Sequence, residues 1–352
     1  MENFQAEGRT QYRLFEYDFI RVVAMVFVIA VHALVVIDFA DKFSLFYFNV
    51  MQAVFFSCNG IFFMISGRFA LTSRQSYAQY YYKKLITIGM PVFIFFFIRT
   101  AYIASKAEFN NLFTQYLLNL SGALGNTEYW FLYVLIGNMM IAPLLGKAFR
   151  QFTKKECVLF LGLGLFYNLC VTISSVFGQP FEYSYLFGGW IFYFYLSYCL
   201  EKLLTHKRHV HLLWIVSSIC LFITVVLKYK GITTYVHDLS PIFTVFTMGM
   251  YTMFLTIGTW DFPNWVKTVV RFLAKHSFSV YLIHMMVLET VIPSFPAIIG
   301  AASILRHAGV TLFVLIVSVI FFCDRGPVAF VSFEQPSAET RKKDCCIRMP
   351  TT

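Results

Sequence analysis

The residues best suited to chemistry lie in one apolar stretch near the start of the chain, where Asp18, Arg21 and His32 interrupt a run of apolar side chains. Arg21 and His32 are eleven residues apart, close to three whole helical turns, so both would project from one face with Asp18 nearly in line. Histidine is the side chain best matched to proton transfer near neutral pH. This register predicts a functional set and disfavours the alternative of a core histidine satisfied by packing.

Three further cations lie on the same side of the predicted bundle as Arg21. Arg68 ends the second apolar run, and Lys83 and Lys84 open the third. His32 would lie about 16 Å deeper than Arg21 along its helix. The cations therefore predict a basic mouth for a phosphate-bearing ligand. The alternative is that Arg68, Lys83 and Lys84 extend to lipid headgroups.

A second polar group is expected in the opposite half of the bundle and forms a candidate substrate site. Its members are Glu128, Trp130, Tyr281 and His284. Two of them have simpler alternatives, because Trp130 suits an interfacial aromatic belt and His284 suits a hydrogen bond that holds helices together.

The amino-acid composition indicates whether these residues lie in a soluble protein or in a membrane protein. Of 352 residues, 59% are hydrophobic and only 13% are charged, against about 25% charged in soluble proteins. A soluble core of this size could not hide so much apolar surface, whereas a bilayer can. Ten apolar runs near the spanning length of about 20 residues occur at 19–37, 50–71, 86–104, 129–148, 157–175, 183–203, 211–228, 240–258, 277–294 and 303–323. We therefore predict an all-α polytopic membrane protein with about ten transmembrane helices. Around Pro293, Pro296 and Gly300 the chain is expected to form a short turn or a broken helix.

Loop charges predict the orientation of the bundle. Ten spans place 20 of the 28 lysines and arginines on the side of both termini and 6 on the other, with Arg21 and Arg68 inside spans. Positive loops stay in the cytoplasm, so both termini are expected there. The net charge of +10 then needs no nucleic-acid partner.

The remaining features predict one domain. The polar first 18 residues lack a cleavage site, so the first run is interpreted as an uncleaved span. The eight cysteines form no CxxC pair and most lie in apolar runs, which predicts buried thiols, no disulfide framework and no metal site. We expect one transmembrane domain over 1–326 and a polar, disordered cytoplasmic tail over 327–352.

The motifs resemble those of the acyltransferase family 3 membrane proteins. Asp18, Arg21 and Ala24, followed by His32, match the family's first-span pattern, D-x-x-R-x-x-A and then His, with ten residues between Arg and His. Three further segments resemble family segments in the same order: 63–67 (F-x-x-S-G), 130–132 (W-F-L) and 277–284 (S-x-x-x-Y-L-x-H). The chain departs from the family's R-x-x-R before a Pro, since Lys84 and Thr87 precede Pro91; Lys83 would compensate.

The resemblance implies a membrane-embedded O-acyltransferase of the bacterial plasma membrane. Such an enzyme moves an acyl group, usually acetyl, from cytosolic acyl-CoA to a hydroxyl of a glycan or other envelope acceptor. Acyl-CoA would be a donor substrate held by Arg68, Lys83 and Lys84, and no permanently bound cofactor is implied. The catalytic residues would be His32, with Arg21 and Asp18, and Glu128, Trp130, Tyr281 and His284 would bind the acceptor. His32 could act as a general base or form a transient acyl-His.

The rival interpretation is a transporter or flippase for a glycan or lipid-linked sugar. A basic, aromatic-rich polytopic chain of this length fits that class too. A transporter needs no acyl donor, and it does not need Arg21 and His32 on one helix face. Thioester-dependent labelling of a glycan by the purified protein therefore discriminates between an acyltransferase and a transporter.

Overall fold

A computed structural model describes residues 14–323, except residue 40 and the segments 107–110, 122–128, 179–188, 232–238 and 295–302. This part of the chain is helical and contains no strand. Its α-helices, in chain order, are α1 (Phe15–Ala33), α2 (Lys42–Leu71), α3 (Tyr77–Lys84), α4 (Met90–Ala104), α5 (Leu112–Leu120), α6 (Trp130–Gln151), α7 (Lys154–Val176), α8 (Trp190–Leu203), α9 (Lys207–Tyr229), α10 (Pro241–Ile257), α11 (Asn264–Ser294) and α12 (Ser303–Cys323).

Long apolar helices confirm the predicted class, an all-α polytopic membrane protein. Within the described ranges, seven helical segments are long and apolar enough to cross a bilayer: Phe15–Val36, Lys42–Leu71, Tyr77–Ala104, Trp130–Gln151, Lys154–Val176, Lys207–Tyr229 and Ile304–Phe321. The other three predicted runs coincide with α8, α10 and the second half of α11. The number ten and the cytoplasmic placement of the termini stay predictions, as does the division into a domain over 1–326 and a tail over 327–352. The whole of that tail lies outside the described residues.

The third predicted run is a composite helix. A π-helical turn, Leu85–Gly89, joins α3 to α4, and the N–H of Met90 donates to the carbonyl of Leu85. Pro91 explains the turn, because it has no N–H and its ring would clash with the carbonyl of the residue four before it, Thr87. A π-bulge accommodates this without breaking the helix. The bulge lies at the stretch where the sequence departs from the family pattern.

One helix, α5, was not predicted. It has nine residues, about 14 Å of helix, and is too short to cross a hydrocarbon layer of about 30 Å.

The turn or broken helix predicted around Pro293 and Pro296 falls between α11 and α12. α11 ends at Ser294 and α12 begins at Ser303. The two helices pack against each other, so they are separate helices and not one continuous span.

The first two helices form the centre of the bundle. α1 packs against α2, α10, α11 and α12, and α2 also packs against α6 and α8. The α2–α8 contact requires a glycine, since a Cβ on Gly67 would lie 1.6 Å from the carbonyl oxygen of Phe194. Small residues let helix backbones approach closely where lipid supplies no hydrophobic drive between helices. The face of α1 that carries Asp18 and Arg21 is therefore buried at the bundle centre.

The peripheral helices present their apolar side chains outward. Phe166 on α7 is 64% exposed and Phe222 on α9 is 69% exposed. In water such a surface would associate, but in a bilayer it contacts lipid tails.

Candidate active site

Asp18 and Arg21 lie together near the start of α1. Asp18 is fully buried and Arg21 is 3% exposed, and Arg21 Nη1 lies 3.4 Å from Asp18 Oδ1. Three residues apart on a helix, the two side chains occupy one face, as the sequence register predicted. We call this end of the bundle the inner end, after the predicted orientation, and the opposite end the outer end.

His32, near the outer end of α1, is half-buried and lines a cavity of about 280 Å³. Side chains from α1, α2, α6, α8 and α11 enclose it, among them Asn59, Trp130, Phe131, Trp190 and Tyr281. The cavity offers hydrogen-bond donors on largely apolar walls, the usual character of a small-molecule site.

A second imidazole lies beside His32. The ring centroids of His32 and His284 are 5.3 Å apart. His284 is 1% exposed, and its Nδ1 lies 2.6 Å from the carbonyl oxygen of Tyr281. A carbonyl can only accept, so Nδ1 donates, and in the neutral ring Nε2 carries the lone pair. Among the described residues Nε2 has no hydrogen-bond partner, so it can accept from a group in the site.

A smaller cavity of about 30 Å³ lies inward of the first and is lined by Arg21. Phe131 and Tyr281 line both cavities, and their ring centroids are 5.6 Å apart. Two aromatic rings therefore form the common wall between the Arg21 cavity and the His32 cavity. Arg21 and His32, predicted from their register, border consecutive spaces along one helix.

Two tryptophans form one side of the His32 cavity. The rings of Trp130 and Trp190 are 4.9 Å apart, and both residues are half-buried. The sequence predicted Trp130 but not Trp190, whose only signal was an aromatic residue in the sixth apolar run. Glu128, the remaining predicted substrate residue, lies outside the described residues.

Arg68 at the inner end contacts a carboxylate that the sequence analysis missed. Arg68 Nε lies 2.6 Å from Glu201 Oε2, with the two side chains 17% and 2% exposed. Glu201 also accepts hydrogen bonds from the hydroxyls of Tyr17, at 3.1 Å, and Tyr251, at 2.6 Å. These four residues, from α1, α2, α8 and α10, are called the Glu201 cluster. A lone carboxylate in a predicted span could have identified Glu201. Phosphate binding by Arg68 stays a prediction.

Lys83 and Lys84 lie at the junction of α3 with the π-turn, and both are half-buried. The Lys84 ammonium lies 5.6 Å from the centre of the Tyr80 ring and is close enough to Arg21 and Lys83 for their charges to act on it. The Thr87 hydroxyl donates to the Lys83 carbonyl at 2.8 Å. The structure thus brings Arg21, Lys83 and Lys84 into one positively charged region.

The cysteines and the potential metal ligands form no further site among the described residues. Within the described part of the chain, no disulfide bond joins Cys58, Cys157, Cys170, Cys199 or Cys220 to another cysteine. Within the described ranges, no three His, Cys, Asp or Glu side chains are grouped closely enough to hold a metal ion.

Comparisons with known proteins agree with the resemblance seen in the motifs. The sequence model of the Acyl_transf_3 family, described as an acyltransferase domain, matches residues 14–323. A Bacillus subtilis (strain 168) protein named "Putative membrane-bound acyltransferase YfiQ" is 24% identical over 247 residues, covering 65% of this chain and 63% of that protein. The chain thus spans less than two thirds of that relative. No solved structure matches the chain significantly.

Proposed function

Because this chain belongs to the Acyl_transf_3 acyltransferase family, we propose that it is a membrane-embedded O-acyltransferase. It would move an acyl group, acetyl in the first instance, from cytosolic acyl-CoA to a hydroxyl of a glycan or other envelope acceptor. The observation that carries the proposal is the placement of His32 in a cavity that shares a wall with the cavity of Arg21. Donor and acceptor can then approach one histidine from opposite ends.

His32 is assigned as the general base. A hydroxyl is a poor nucleophile until its proton is removed in the transition state, and a positioned histidine contributes roughly 10²- to 10⁴-fold through this transfer. The imidazolium formed at His32 would be stabilised by His284, whose Nε2 can accept a hydrogen bond. The proton would then pass from His32 to the departing thiolate of the donor.

The donor is assigned to the inner end. Coenzyme A is polyanionic, and Arg21, Lys83 and Lys84 form a positively charged region there. Lysine binds phosphate as a point charge, so Lys83 and Lys84 are placed on the phosphates. Arg21, deeper and paired with Asp18, would orient the face of α1 that carries His32.

The acceptor is assigned to the outer end. Trp130 and Trp190 form an aromatic wall of the His32 cavity, and the C–H-rich face of a sugar ring packs well on such a surface. Tyr281 lines the same cavity, and the ring of His284 lies 5.6 Å from the Tyr281 ring, so both are assigned to acceptor binding. A glycan hydroxyl could approach His32 from this side without crossing the inner end.

The test compares glycan acylation in cells with and without the gene, by mass spectrometry or NMR, and then uses the purified chain in nanodiscs with labelled acetyl-CoA. We expect His32→Ala to insert and fold normally yet lose transfer by at least 10²-fold. His209→Ala is the matched control, since this histidine is exposed at the start of α9. Retention of most activity in His32→Ala would overturn the assignment. Unconsumed acetyl-CoA together with movement of the glycan across the membrane would indicate a transporter instead.

A further inference from the structure

The His32 cavity contains an asparagine to which no motif assigned a role. Asn59 lies on α2 and lines the same cavity of about 280 Å³ as His32. Its neighbour Cys58 places its Sγ 3.7 Å from Asn59 Oδ1, and the thiol is the donor. Among the described residues the structure gives Asn59 Nδ2 no hydrogen-bond partner, so the two N–H groups of the amide are available to a ligand in the cavity.

Other asparagines in the bundle show what a structural role requires. Asn168 accepts from the N–H of Gly189 at 3.2 Å and donates to Thr244 at 3.4 Å. Asn138 donates from Nδ2 to the carbonyl of Val134 at 2.8 Å. Both use their amide donors within the protein. Asn59 does not, although polar side chains in an apolar bundle usually find such partners.

The backbone beneath Asn59 is held rigidly. At Gly60, the next residue, an added Cβ would lie 2.7 Å from both Tyr193 and Thr247. α2 is therefore packed closely against α8 and α10 at this point. A donor used for catalysis must be fixed before reaction, because a preorganised dipole needs no reorganisation as charge develops.

We propose that Asn59 is a catalytic residue whose side-chain amide donates a hydrogen bond to the carbonyl oxygen of the acyl donor as that oxygen becomes an oxyanion. The inference rests on the acyl transfer proposed above and adds a group that the motif set lacks. His32 accepts the proton of the attacking hydroxyl. The negatively charged oxygen of the tetrahedral intermediate also needs a hydrogen-bond donor. Asn59 supplies it from α2, in the same cavity.

The proposed acyl transfer has two stages, addition to the thioester carbon and collapse of the tetrahedral intermediate. The acceptor oxygen forms a bond to the thioester carbon, its proton goes to His32, and the π electrons of the carbonyl move onto the oxygen that Asn59 binds. When the intermediate collapses, the carbonyl re-forms, the C–S bond breaks, and the thiolate takes the proton from His32. The products are an ester and free coenzyme A thiol.

The test measures release of coenzyme A from acetyl-CoA by the full chain in nanodiscs, with and without glycan extracted from cells that lack the gene. Without glycan, water is the acceptor. We expect Asn59→Asp, an isostere without the donor, and Asn59→Ala to lower kcat by roughly 10²- to 10³-fold in both conditions. The KM for acetyl-CoA should stay within about threefold, because the bond strengthens only in the transition state.

Asn138→Ala is the matched control, since it removes the same side chain from α6 and should leave kcat within about threefold. Size-exclusion chromatography and thermal unfolding check folding, and Asn59→Ala carries the test if Asn59→Asp does not fold. Loss of glycan transfer with unchanged hydrolysis would make Asn59 an acceptor-binding residue and overturn the proposal. Normal kcat in the Asn59 variants beside an inactive His32→Ala would overturn it and leave the acyltransferase assignment intact.

Discussion

The Glu201 cluster at the inner end and the surroundings of His32 at the outer end differ in how their polar atoms are satisfied. At the inner end, Glu201 accepts hydrogen bonds from Arg68, Tyr17 and Tyr251 and is 2% exposed. At the outer end, His284 Nε2 has no hydrogen-bond partner among the described residues, and its ring lies beside that of His32. Asn59, which lines the His32 cavity, makes one hydrogen bond within the described part of the chain, through Oδ1, so Nδ2 makes none there. The first arrangement is complete within the protein. The second leaves the Asn59 amide available to a ligand and the His284 acceptor available to the His32 imidazolium.

This difference separates stability from chemistry. A buried polar network whose members are all satisfied fixes one arrangement of its helices. A buried donor or acceptor left without a partner costs roughly 1–3 kcal/mol, a cost that the protein tolerates where the group has another use. We therefore expect substitutions in the Glu201 cluster to act mainly on folding and substitutions around His32 to act mainly on rate.

The largest expected effect on stability is at Glu201. Removing one partner of a buried ion pair leaves an uncompensated charge, so Glu201→Ala should destabilise the protein by roughly 3–5 kcal/mol. Thermal unfolding in nanodiscs measures this. His32→Ala, at a half-buried position beside a cavity, should shift the unfolding temperature much less.

A double variant distinguishes the ion pair from simple packing. Replacing both charges, in Glu201→Leu with Arg68→Met, should recover much of the lost stability, because apolar pairs often replace buried ion pairs without penalty. If Glu201→Ala unfolds at the temperature of the unmodified chain, the Glu201 cluster does not stabilise the fold. The contrast drawn between this cluster and the surroundings of His32 is then wrong.

The sequence predicted the helices well because a bilayer demands long apolar runs, a requirement that composition alone expresses. It missed α5, whose nine residues are too few to span and carry no such signal. The π-turn at Leu85–Gly89 could have been anticipated from Pro91, but the choice between a kink and a bulge depends on packing.

The sequence predicted those features of the candidate site that depend on local helix geometry and missed those that depend on distant contacts. Arg21 and His32 could be placed on one face because helical register is fixed by chain geometry. The pairing of Arg68 with Glu201 joins residues 133 positions apart, and no local pattern encodes that. Asn59 resembles any other polar residue in an apolar run until its neighbours are known.

The second region can be probed at His284, with a smaller effect. A hydrogen bond to a charged group contributes roughly 1.5–3 kcal/mol, so losing the acceptor for the His32 imidazolium should lower kcat by roughly 10- to 100-fold. His284→Asn keeps a donor for the Tyr281 carbonyl but has no ring nitrogen acceptor. Steady-state kinetics in nanodiscs measures the loss, and unfolding should stay within about 1 kcal/mol of the unmodified chain. A variant with full kcat would show that His284 only holds helices together.

The smallest expected effect concerns Lys83 and Lys84, which test whether the inner end also serves the donor. Their half-buried ammonium groups would contact phosphates in both the ground state and the transition state. The double change to Ala should therefore raise the KM for acetyl-CoA, by about 5- to 10-fold if each contact contributes about 0.5–0.7 kcal/mol. It should leave kcat nearly unchanged.

The control is Lys207→Ala with Arg208→Ala, which removes the same charge from exposed positions at the start of α9 and should leave the KM unchanged. Raised salt should diminish the difference between the Lys83/Lys84 variant and the unmodified chain, since dissolved ions screen those charge contacts that water can reach. If KM is unchanged in the Lys83/Lys84 variant, these lysines contact lipid headgroups, and the donor phosphates must be bound by other residues of the inner end.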